Sequence, residues 1–584
     1  MKISPNLEEV ELAADLLVNR YNVSAQVLGQ LFGTKDRDQA NDVLKHLGGQ
    51  KLDRLKIAKL HILRKGATLF GGSDQKVKDL RQRLLKKLPE HEIKVLFEKH
   101  GSTAANNITS TSHMPKPLAD KKWHADGNWP KDFVKATGFP IIFSGVKQHN
   151  TSETVVEVHP KIRVPQLADF QKHLKEEMLT VLDKENSKTR CIVTLPTGGG
   201  KTRVAVEAFI DWMIPRFADG QYLVWIAQSE ELCEQAIKCV EQMWSDREFT
   251  TSLFIYRFFS GRDIPGDKLG RGGVVVSSIQ QLHSRIKNDD QSLNEILEKT
   301  GAMIIDEAHR AVSSMYDNLL RKAESLRGPD LFPICGLTAT PGRTGLHGMH
   351  ETTKLVNRFE AYLVSPKLGP DYETDPLRYF REHGFLARAN HITYRSGIEY
   401  TLTDKELEEV KPDSDESLPP GFLKRLASDK KRNMLIIKRL LKIRPGTPTI
   451  IYACTVDHAY FLSVILTEKG RPSGTISSDT PLTIRRGLIK DFKEGKIDFL
   501  CNFGVLATGF DAPTTRCIAM CRPTTSDILY EQIIGRGLRG PNFGGTKECI
   551  IIDFADNIKR LGKSLSYARF SDSWSTDNDE KSEY

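Results

Sequence analysis

The sequence predicts an α/β protein with two parallel-sheet domains in tandem, preceded by a small helical N-terminal domain. Two blocks, residues 165–360 and 434–570, alternate short apolar runs, typical of buried parallel strands, with longer amphipathic stretches. Residues 1–101 instead place apolar side chains such as Leu80 and Leu84 at helical spacing. These patterns together predict helices on both faces of each sheet.

The segments between and after these blocks lack a clear period. Residues 102–164 are expected to form a linker and a β-rich lead-in, because a polar stretch precedes the β-like runs FPIIFSG and ETVVEVHP. Residues 361–433 are expected to connect the two sheet domains. Residues 571–584 are acidic and polar, so we expect a disordered tail there.

Composition and charge narrow the class of protein. Of the 584 residues, 39% are hydrophobic and 27% are charged, which is ordinary for a globular protein. The net charge is +9, and residues 51–100 alone hold 14 Lys and Arg against 6 Asp and Glu. A basic stretch of this kind favours the binding of polyanions, although a solvated helical surface has the same composition. The cysteines form no C-x-x-C pair and no apolar run approaches the ~20 residues that span a bilayer, so we expect a cytoplasmic protein without a membrane partner.

A phosphate-binding loop stands between the strand CIVTL and a helical stretch, in the sequence LPTGGGKT. Its glycines let backbone N–H groups turn toward phosphate oxygens without Cβ clashes. The lysine is predicted to reach the β- and γ-phosphates of ATP, and the hydroxyl of the following threonine to ligate Mg²⁺. The loop residues predicted to bind the nucleotide are Thr197, Gly198, Gly199, Gly200, Lys201 and Thr202.

Two adjacent acids end another apolar strand about 105 residues later, in the sequence IIDEAH. We expect Asp306 to hold Mg²⁺ and Glu307 to orient and deprotonate the attacking water. With the P-loop, these acids complete both halves of one nucleotide site. The sequence therefore predicts an ATP hydrolase.

The string DEAH and seven further motifs resemble superfamily 2 helicases and translocases of the DEAH-box kind. The motifs are LADFQKHL at 167–174, WIAQSEEL at 225–232, SSIQQL at 277–282, LTATP at 337–341, IIYACT at 450–455, GVLATGFDAP at 504–513 and QIIGRGLR at 532–539. The variants TGFDAP and GRGLR are most similar to bacterial RadD-type helicases and to the ResIII-like motor subunits of type I and type III restriction enzymes. The resemblance covers about two-thirds of the chain.

The resemblance implies two RecA-like motor domains that face each other across ATP and Mg²⁺. It implies that Arg536 and Arg539 are arginine fingers, that Gln171 reads adenine, and that Gly509 and Asp511 belong to the nucleotide site.

The resemblance also implies how hydrolysis is sensed and how nucleic acid is held. His309 would sense hydrolysis through Gln532. The candidate contacts to the nucleic-acid backbone are Ser278, Thr455 and Thr508.

The activity implied is that of an ATP-dependent DNA helicase or translocase in repair or genome maintenance. The expected partner is single-stranded or forked duplex DNA, and the expected location is the cytoplasm, in association with a bacterial nucleoid. On the basic N-terminal surface, we expect DNA contacts from Arg81, Arg83, Lys86 and Lys87.

Three alternatives stay open. One is the motor subunit of a multi-protein anti-phage or restriction-type complex, in which residues 1–101 dock a protein partner. Another is a nucleic-acid-binding module that ATP only switches. An RNA helicase is disfavoured by the strings GFDAP and GRGLR.

Overall fold

The computed structural model describes residues 5, 7–32, 53–101, 110–145, 155–158, 165–247, 251–268, 270–328, 332–341, 346–372, 375–409, 418–478, 480, 482–506, 512–524 and 527–559. The helices are α1 Leu7–Asp15, α2 Ala25–Phe32, α3 Arg54–Lys65, α4 Gln75–Leu85, α5 Glu90–His100, α6 Pro115–Asp120, α7 Asn128–Thr137, α8 Asp169–Leu182, α9 Lys201–Met213, α10 Glu230–Asp246, α11 Ile279–Lys287, α12 Gln291–Glu298, α13 Ser314–Arg327, α14 Leu346–Arg358, α15 Pro376–Glu382, α16 Asp404–Glu409, α17 Pro420–Ala427, α18 Lys430–Leu441, α19 Val456–Glu468, α20 Leu482–Lys493 and α21 Asp527–Ile534. The strands are β1 Val155–Val158, β2 Arg190–Thr194, β3 Tyr222–Ala227, β4 Leu253–Phe258, β5 Gly273–Ser278, β6 Thr300–Asp306, β7 Ile334–Thr338, β8 Leu363–Val364, β9 Arg388–Thr401, β10 Thr449–Tyr452, β11 Ser473–Ile476, β12 Phe499–Asn502, β13 Cys517–Met520 and β14 Glu548–Lys559.

The first sheet domain is built on eight strands in the order β1-β4-β5-β3-β6-β7-β2-β8. Its strands run parallel except β1, which pairs with β4 in antiparallel orientation. In β3, Leu223 and Trp225 join one apolar cluster, whereas Val224 and Ile226 join the cluster on the other face. Because both faces are covered, the strand reads as a continuous apolar run. The predicted parallel sheet is confirmed.

The second sheet domain has six parallel strands in the order β11-β12-β10-β13-β14-β9. β10 alternates in the same way: Ile450 joins the cluster that also contains the first sheet, and Ile451 joins the cluster of the N-terminal helices. The expectation that residues 361–433 only connect the domains is wrong, because β8 extends the first sheet and β9 forms an edge of the second. An edge strand has one neighbour and partly solvated faces, so β9 mixes polar and apolar residues and lacks the expected apolar run.

The N-terminal helices form one body that extends to Gly145. At its centre, the Phe70 ring lies 5.2 Å from the Phe133 ring and 4.8 Å from the Phe139 ring, measured between centroids. The expectation of a linker and β-rich lead-in over residues 102–164 is therefore wrong in part. Helices α6 and α7 belong to the helical body, and FPIIFSG forms a 3-10 turn at Ile141–Ser144, although ETVVEVHP does supply β1.

The helical body is attached to the second sheet domain. The two share one cluster of buried apolar side chains, and Lys56 Nζ on α3 lies 2.8 Å from Glu468 Oε1 at the end of α19. None of the helices within the described ranges is both long enough and apolar enough to cross a membrane. The tail predicted at residues 571–584 lies outside the described residues.

Candidate active site

The P-loop turns between β2 and α9. Gly198 and Gly200 have φ values of 86° and 88°, in the left-handed region that glycine enters at little cost. Lys201 begins α9, and its Nζ donates hydrogen bonds to the carbonyl oxygens of Leu195 at 2.9 Å and Pro196 at 3.4 Å. The Lys201 ammonium group, which the sequence predicts to bind the phosphates of ATP, is thus hydrogen-bonded here to carbonyl groups of the loop itself.

Gln171 on α8 packs directly against the P-loop. Its Nε2 donates a hydrogen bond to the carbonyl of Gly199 at 3.1 Å, and its Oε1 accepts one from the N–H of Ala168 at 3.1 Å. A Cβ at Gly200 would lie 2.5 Å from Gln171 Nε2, so this glycine permits the contact. The buried Gln171 thus supports the loop, and its predicted contact with adenine stays a prediction.

Asp306 is the last residue of β6 and Glu307 follows it, at the carboxyl edge of the first sheet. Glu307 has a φ of 53°, and its N–H donates a hydrogen bond to Asp306 Oδ1 at 3.0 Å. Burial, and next the Glu307 carboxylate, raise the pKa of Asp306 from its ordinary value of 3.8 to about 7, against the opposing charges of Lys201 and Arg536. A buried carboxyl of this kind fits a hard cation with oxygen ligands, and Mg²⁺ is such an ion.

The DEAH and LTATP motifs are in contact. His309 Nδ1 lies 3.0 Å from Thr338 Oγ1 at the end of β7 and 3.4 Å from Glu307 Oε2. Thr338 Oγ1 also accepts a hydrogen bond from the N–H of Thr340 at 3.1 Å. These contacts connect the two acids to the neighbouring strand β7. The predicted contact of His309 with Gln532 stays a prediction.

The QIIGRGLR motif of the second domain lies against the P-loop of the first. A Cβ at Gly535 would lie 2.5 Å from Thr197 Cβ and closer still to the Thr197 methyl group. A Cβ at Gly198 would lie 3.9 Å from Gly535 O and 3.9 Å from Arg539 Cα. The close approach of the Thr197 side chain to the backbone of position 535 therefore requires glycine there.

The two predicted arginine fingers are placed differently. Burial lowers the pKa of Lys201, and the charge of Arg536 lowers it further, against the acids Glu307 and Asp306. Arg536 also donates from Nε to the carbonyl of Gln532 at 3.3 Å, within the turn that ends α21. Arg539 pairs through its backbone with Leu386 and faces Gly198. The structure thus brings the Arg536 charge to Lys201 and Asp306. The finger roles of Arg536 and Arg539 both stay predictions.

The predicted nucleic-acid contacts cap helices. Ser278 Oγ accepts a hydrogen bond from the N–H of Gln281 at 3.3 Å at the start of α11, and Thr455 Oγ1 accepts one from the N–H of His458 at 3.0 Å at the start of α19. Each hydroxyl proton can still be donated to a phosphate at a helix N-terminus. The remaining predicted residues Thr508, Gly509 and Asp511 lie outside the described residues.

Two features of the cleft were missed at the level of sequence. Arg485 on α20 forms an ion pair with Glu231 on α10, which links the two sheet domains. A cavity of about 730 Å³ opens beside Thr197, between the ends of β2 and β8 and helix α21. Glu231 lies within WIAQSEEL, but no signal in the sequence indicates Arg485 or the cavity.

In the part of the chain that the structure describes, no three His, Cys, Asp or Glu side chains form a metal-binding group.

Comparisons with known proteins find two family models and several relatives that are similar to this chain. Residues 165–343 match the family model "Type III restriction enzyme, res subunit", and residues 432–540 match "Helicase conserved C-terminal domain". IRC3 of Saccharomyces cerevisiae, whose name describes an ATP-dependent helicase, is 27% identical over 398 residues, which is 67% of this chain and 51% of IRC3. The irc3 protein of Schizosaccharomyces pombe, named as a mitochondrial ATP-dependent helicase, is 24% identical over 398 residues, or 68% of this chain and 58% of that protein.

The chain thus spans about half the length of these curated relatives. Among solved structures, Mss116p bound to ssRNA and AMP-PNP has a TM-score of 0.48 and 17% identity, over 70% of this chain and 73% of that chain.

The two domain matches and the curated relatives confirm the prediction of an ATP-using, helicase-type enzyme. The DEAH-box kind and the RadD type stay predictions. Residues 165–343 and 432–540 are thus similar to the two domains that these family models describe.

Proposed function

We propose that the protein is an ATP-dependent DNA helicase or translocase that couples hydrolysis to movement along DNA or to its remodelling, in repair or genome maintenance. The observation that carries this proposal is one cleft shared by two sheet domains. Lys201, Asp306 and Glu307 come from the first domain, and the charge of Arg536 reaches Lys201 and Asp306 from the second. A nucleotide bound there would contact both domains. Its binding and hydrolysis can therefore change the position of one domain relative to the other.

Each group in the cleft has a chemical task in this proposal. Lys201 binds the β- and γ-phosphates once it leaves the loop carbonyls, and Glu307 orients the attacking water and accepts its proton. Thr202 and Asp306 would hold Mg²⁺, which when bound neutralises phosphate charge. Arg536 stabilises the charge that develops on the γ-phosphoryl group, an effect worth roughly 10³–10⁵ in rate in enzymes of this type.

The contacts around the cleft support coupling to nucleic acid. The cavity of about 730 Å³ beside Thr197 has room for the ribose and base of ATP, with Leu377 and Phe380 among its apolar walls. Changes at Glu307 reach Thr338 through His309, and changes at the P-loop reach Gly535 directly. The caps of α11 and α19 then offer hydroxyl and N–H donors to backbone phosphates, so binding should depend little on sequence.

Steady-state ATP hydrolysis tests the proposal. Rates are measured without nucleic acid and with single-stranded DNA, duplex DNA, forked DNA and RNA, beside a Lys201→Ala control. We expect one form of DNA to stimulate the rate and the control to lose it. Strand displacement on the forked substrate then separates unwinding from translocation. Stimulation by RNA alone would overturn the assignment of DNA.

The second candidate is the motor subunit of a multi-protein anti-phage or restriction-type complex. The match of residues 165–343 to the restriction-subunit model favours it. If no nucleic acid stimulates hydrolysis until a protein partner binds, this candidate replaces the first.

We place the protein in the cytoplasm, at the nucleoid if its host is bacterial. The name of the S. pombe relative describes a mitochondrial protein. Fractionation of cells from its host decides between these locations.

A further inference from the structure

A second candidate binding site lies in the N-terminal helical body. A pocket of about 410 Å³ is enclosed by the turn from Tyr21 to Ser24 on one side and by one face of α4 and the turn after it on the other. The helical wall consists of Asp79, Gln82, Arg83, Lys86 and Lys87. Asp79, the pair Gln82 and Arg83, and the pair Lys86 and Lys87 follow one another at a spacing of three to four residues, so they lie on one side of the helix and its last turn.

The charge of this pocket is positive. Arg83, Lys86 and Lys87 are exposed, and none of them makes an ion pair with any residue that the structure describes. The opposing charge on the wall is Asp79, whose Oδ1 accepts a hydrogen bond from Gln75 Nε2 at 2.8 Å. Like charges at this spacing repel one another, so an anion in the pocket would stabilise all three.

The opposite wall of the pocket contributes the positive end of a helix dipole. Asn22 has a φ of 48°, and its Oδ1 accepts a hydrogen bond from Arg54 Nη1 at 2.7 Å. Ser24 precedes α2, and its Oγ accepts a hydrogen bond from the N–H of Val27 at 3.3 Å. The positive end of the α2 dipole therefore lies at the pocket and adds to the three cations.

The structure corrects which basic residues can meet a ligand. The expectation that Arg81 contacts DNA is wrong, because it is 1% exposed and its guanidinium carbon lies 5.2 Å from the centre of the Trp123 ring. Burial lowers the pKa of Arg81 to about 10. Arg81 is thus part of the helical core, whereas Arg83, Lys86 and Lys87 are exposed and line the pocket.

Helix α3 ties the pocket to the second motor domain. Arg54 on this helix binds Asn22 at the pocket wall, and Lys56, two residues later, forms the ion pair with Glu468 on α19. A ligand held in the pocket would therefore move with the second motor domain.

We infer that this pocket binds a phosphate of the nucleic-acid backbone and anchors the strand outside the motor cleft. The inference rests on the proposed function, since it presumes a motor that acts on nucleic acid. The Tyr21 ring, 6.0 Å from the Phe139 ring, is buried and its hydroxyl donates to the carbonyl of Thr137 at 2.7 Å, so it offers no face for base stacking. Recognition is of charge and is independent of base sequence.

Anisotropy of a fluorescent oligothymidylate, with the full-length chain and without ATP, tests the inference. The pocket variants are R83Q/K86Q/K87Q and R83E/K86E/K87E. The matched controls are K94Q/K116Q/K135Q and K94E/K116E/K135E, which change three exposed lysines of the same helical body that do not line the pocket. Thermal melting checks that each variant is folded, and the glutamine sets are used if a glutamate set fails to fold.

We expect the pocket variants to weaken binding by about tenfold or more at low salt and the controls to weaken it much less. The slope of log affinity against log salt should become less steep by about 0.7, the value for one lost phosphate contact on a single strand. Equal binding by pocket and control variants would overturn the inference alone, provided that nucleic acid still stimulates the wild-type ATPase. If the wild-type chain neither binds nucleic acid nor responds to it, the proposed function fails as well.

Discussion

Replacing Asp306 with Asn should stabilise the first motor domain above neutral pH while it abolishes ATP hydrolysis. The residue Asp306 is 6% exposed, and burial and then the Glu307 carboxylate raise the pKa of its carboxyl to about 7. In the unfolded chain, the group ionises near its ordinary value of 3.8. Between these two values, the folded state keeps a proton that the unfolded state has lost, so stability falls as pH rises from about 4 to about 7.

The size of the effect follows from the difference between the two pKa values. The folded value of about 7 exceeds the ordinary 3.8 by about 3 units, and each unit is worth about 1.4 kcal/mol, so the ionised group costs roughly 4 kcal/mol above pH 7. Asparagine has nearly the same shape, does not ionise, and can still accept the hydrogen bond from the N–H of Glu307. The variant should therefore gain most of this free energy at pH 8 and almost none near pH 4.

Scanning calorimetry of the full-length chain at pH 5 and pH 8 measures this gain. For a domain of this size, about 4 kcal/mol raises the unfolding temperature by roughly 10 °C. The gain at pH 5 should be less than half of that at pH 8. Equal unfolding temperatures for wild type and variant at pH 8, or an increment that does not change with pH, would refute the reasoning.

A carboxylate in the same domain provides a control of opposite sign. Burial raises the pKa of Asp317, but hydrogen bonds from Lys354 and Arg358 outweigh it, and the pKa is lowered. Its stabilisation is present above the ordinary pKa and is lost as pH falls through the folded value. Asp317→Asn should therefore lower the unfolding temperature at pH 8, where Asp306→Asn raises it.

Three further predictions concern the second motor domain. Gly535→Ala should lower the ATPase rate by up to about 10²-fold, because the new Cβ would lie 2.5 Å from Thr197 Cβ. The control in the same assay is Gly266→Ala, since a Cβ at Gly266 would have no atom within 4 Å. Burial lowers the pKa of His458 to about 3 from 6.5, so the unfolded chain alone takes up a proton as pH falls below 6.5. Denaturation at pH 5 should show a loss of about 2 kcal/mol relative to pH 8, and His458→Gln should flatten this dependence. Arg485→Gln and Glu231→Gln should each raise the ATP concentration for half-maximal hydrolysis, and the double variant should be no worse than either; additive losses would contradict an interdomain ion pair.

The nucleotide half of the site could be predicted because its signals are local. The P-loop needs glycines next to Lys201, and the acids at the end of β6 follow an apolar run, so spacing along the chain indicates both. The same holds for the central strands, whose apolar runs reflect burial on two faces. These features stand in short stretches of sequence, and the structure places them where the pattern indicates.

Other features depend on contacts between segments far apart in the chain. Strand β9 joins its sheet only because β14, about 160 residues later, pairs with it. Arg81 looks like its neighbours Arg83 and Lys86 in sequence, yet Trp123 covers it and leaves the other two exposed.

The sequence by itself thus determined the two-sheet fold class and the positions of the P-loop and the two acids at the ends of strands. Tertiary structure alone decided which basic side chains of α4 are exposed, how Gly535 meets Thr197, and which motor domain carries the N-terminal helices. Local spacing encodes the period of a strand or helix, whereas burial and pairing depend on what the rest of the chain brings into contact.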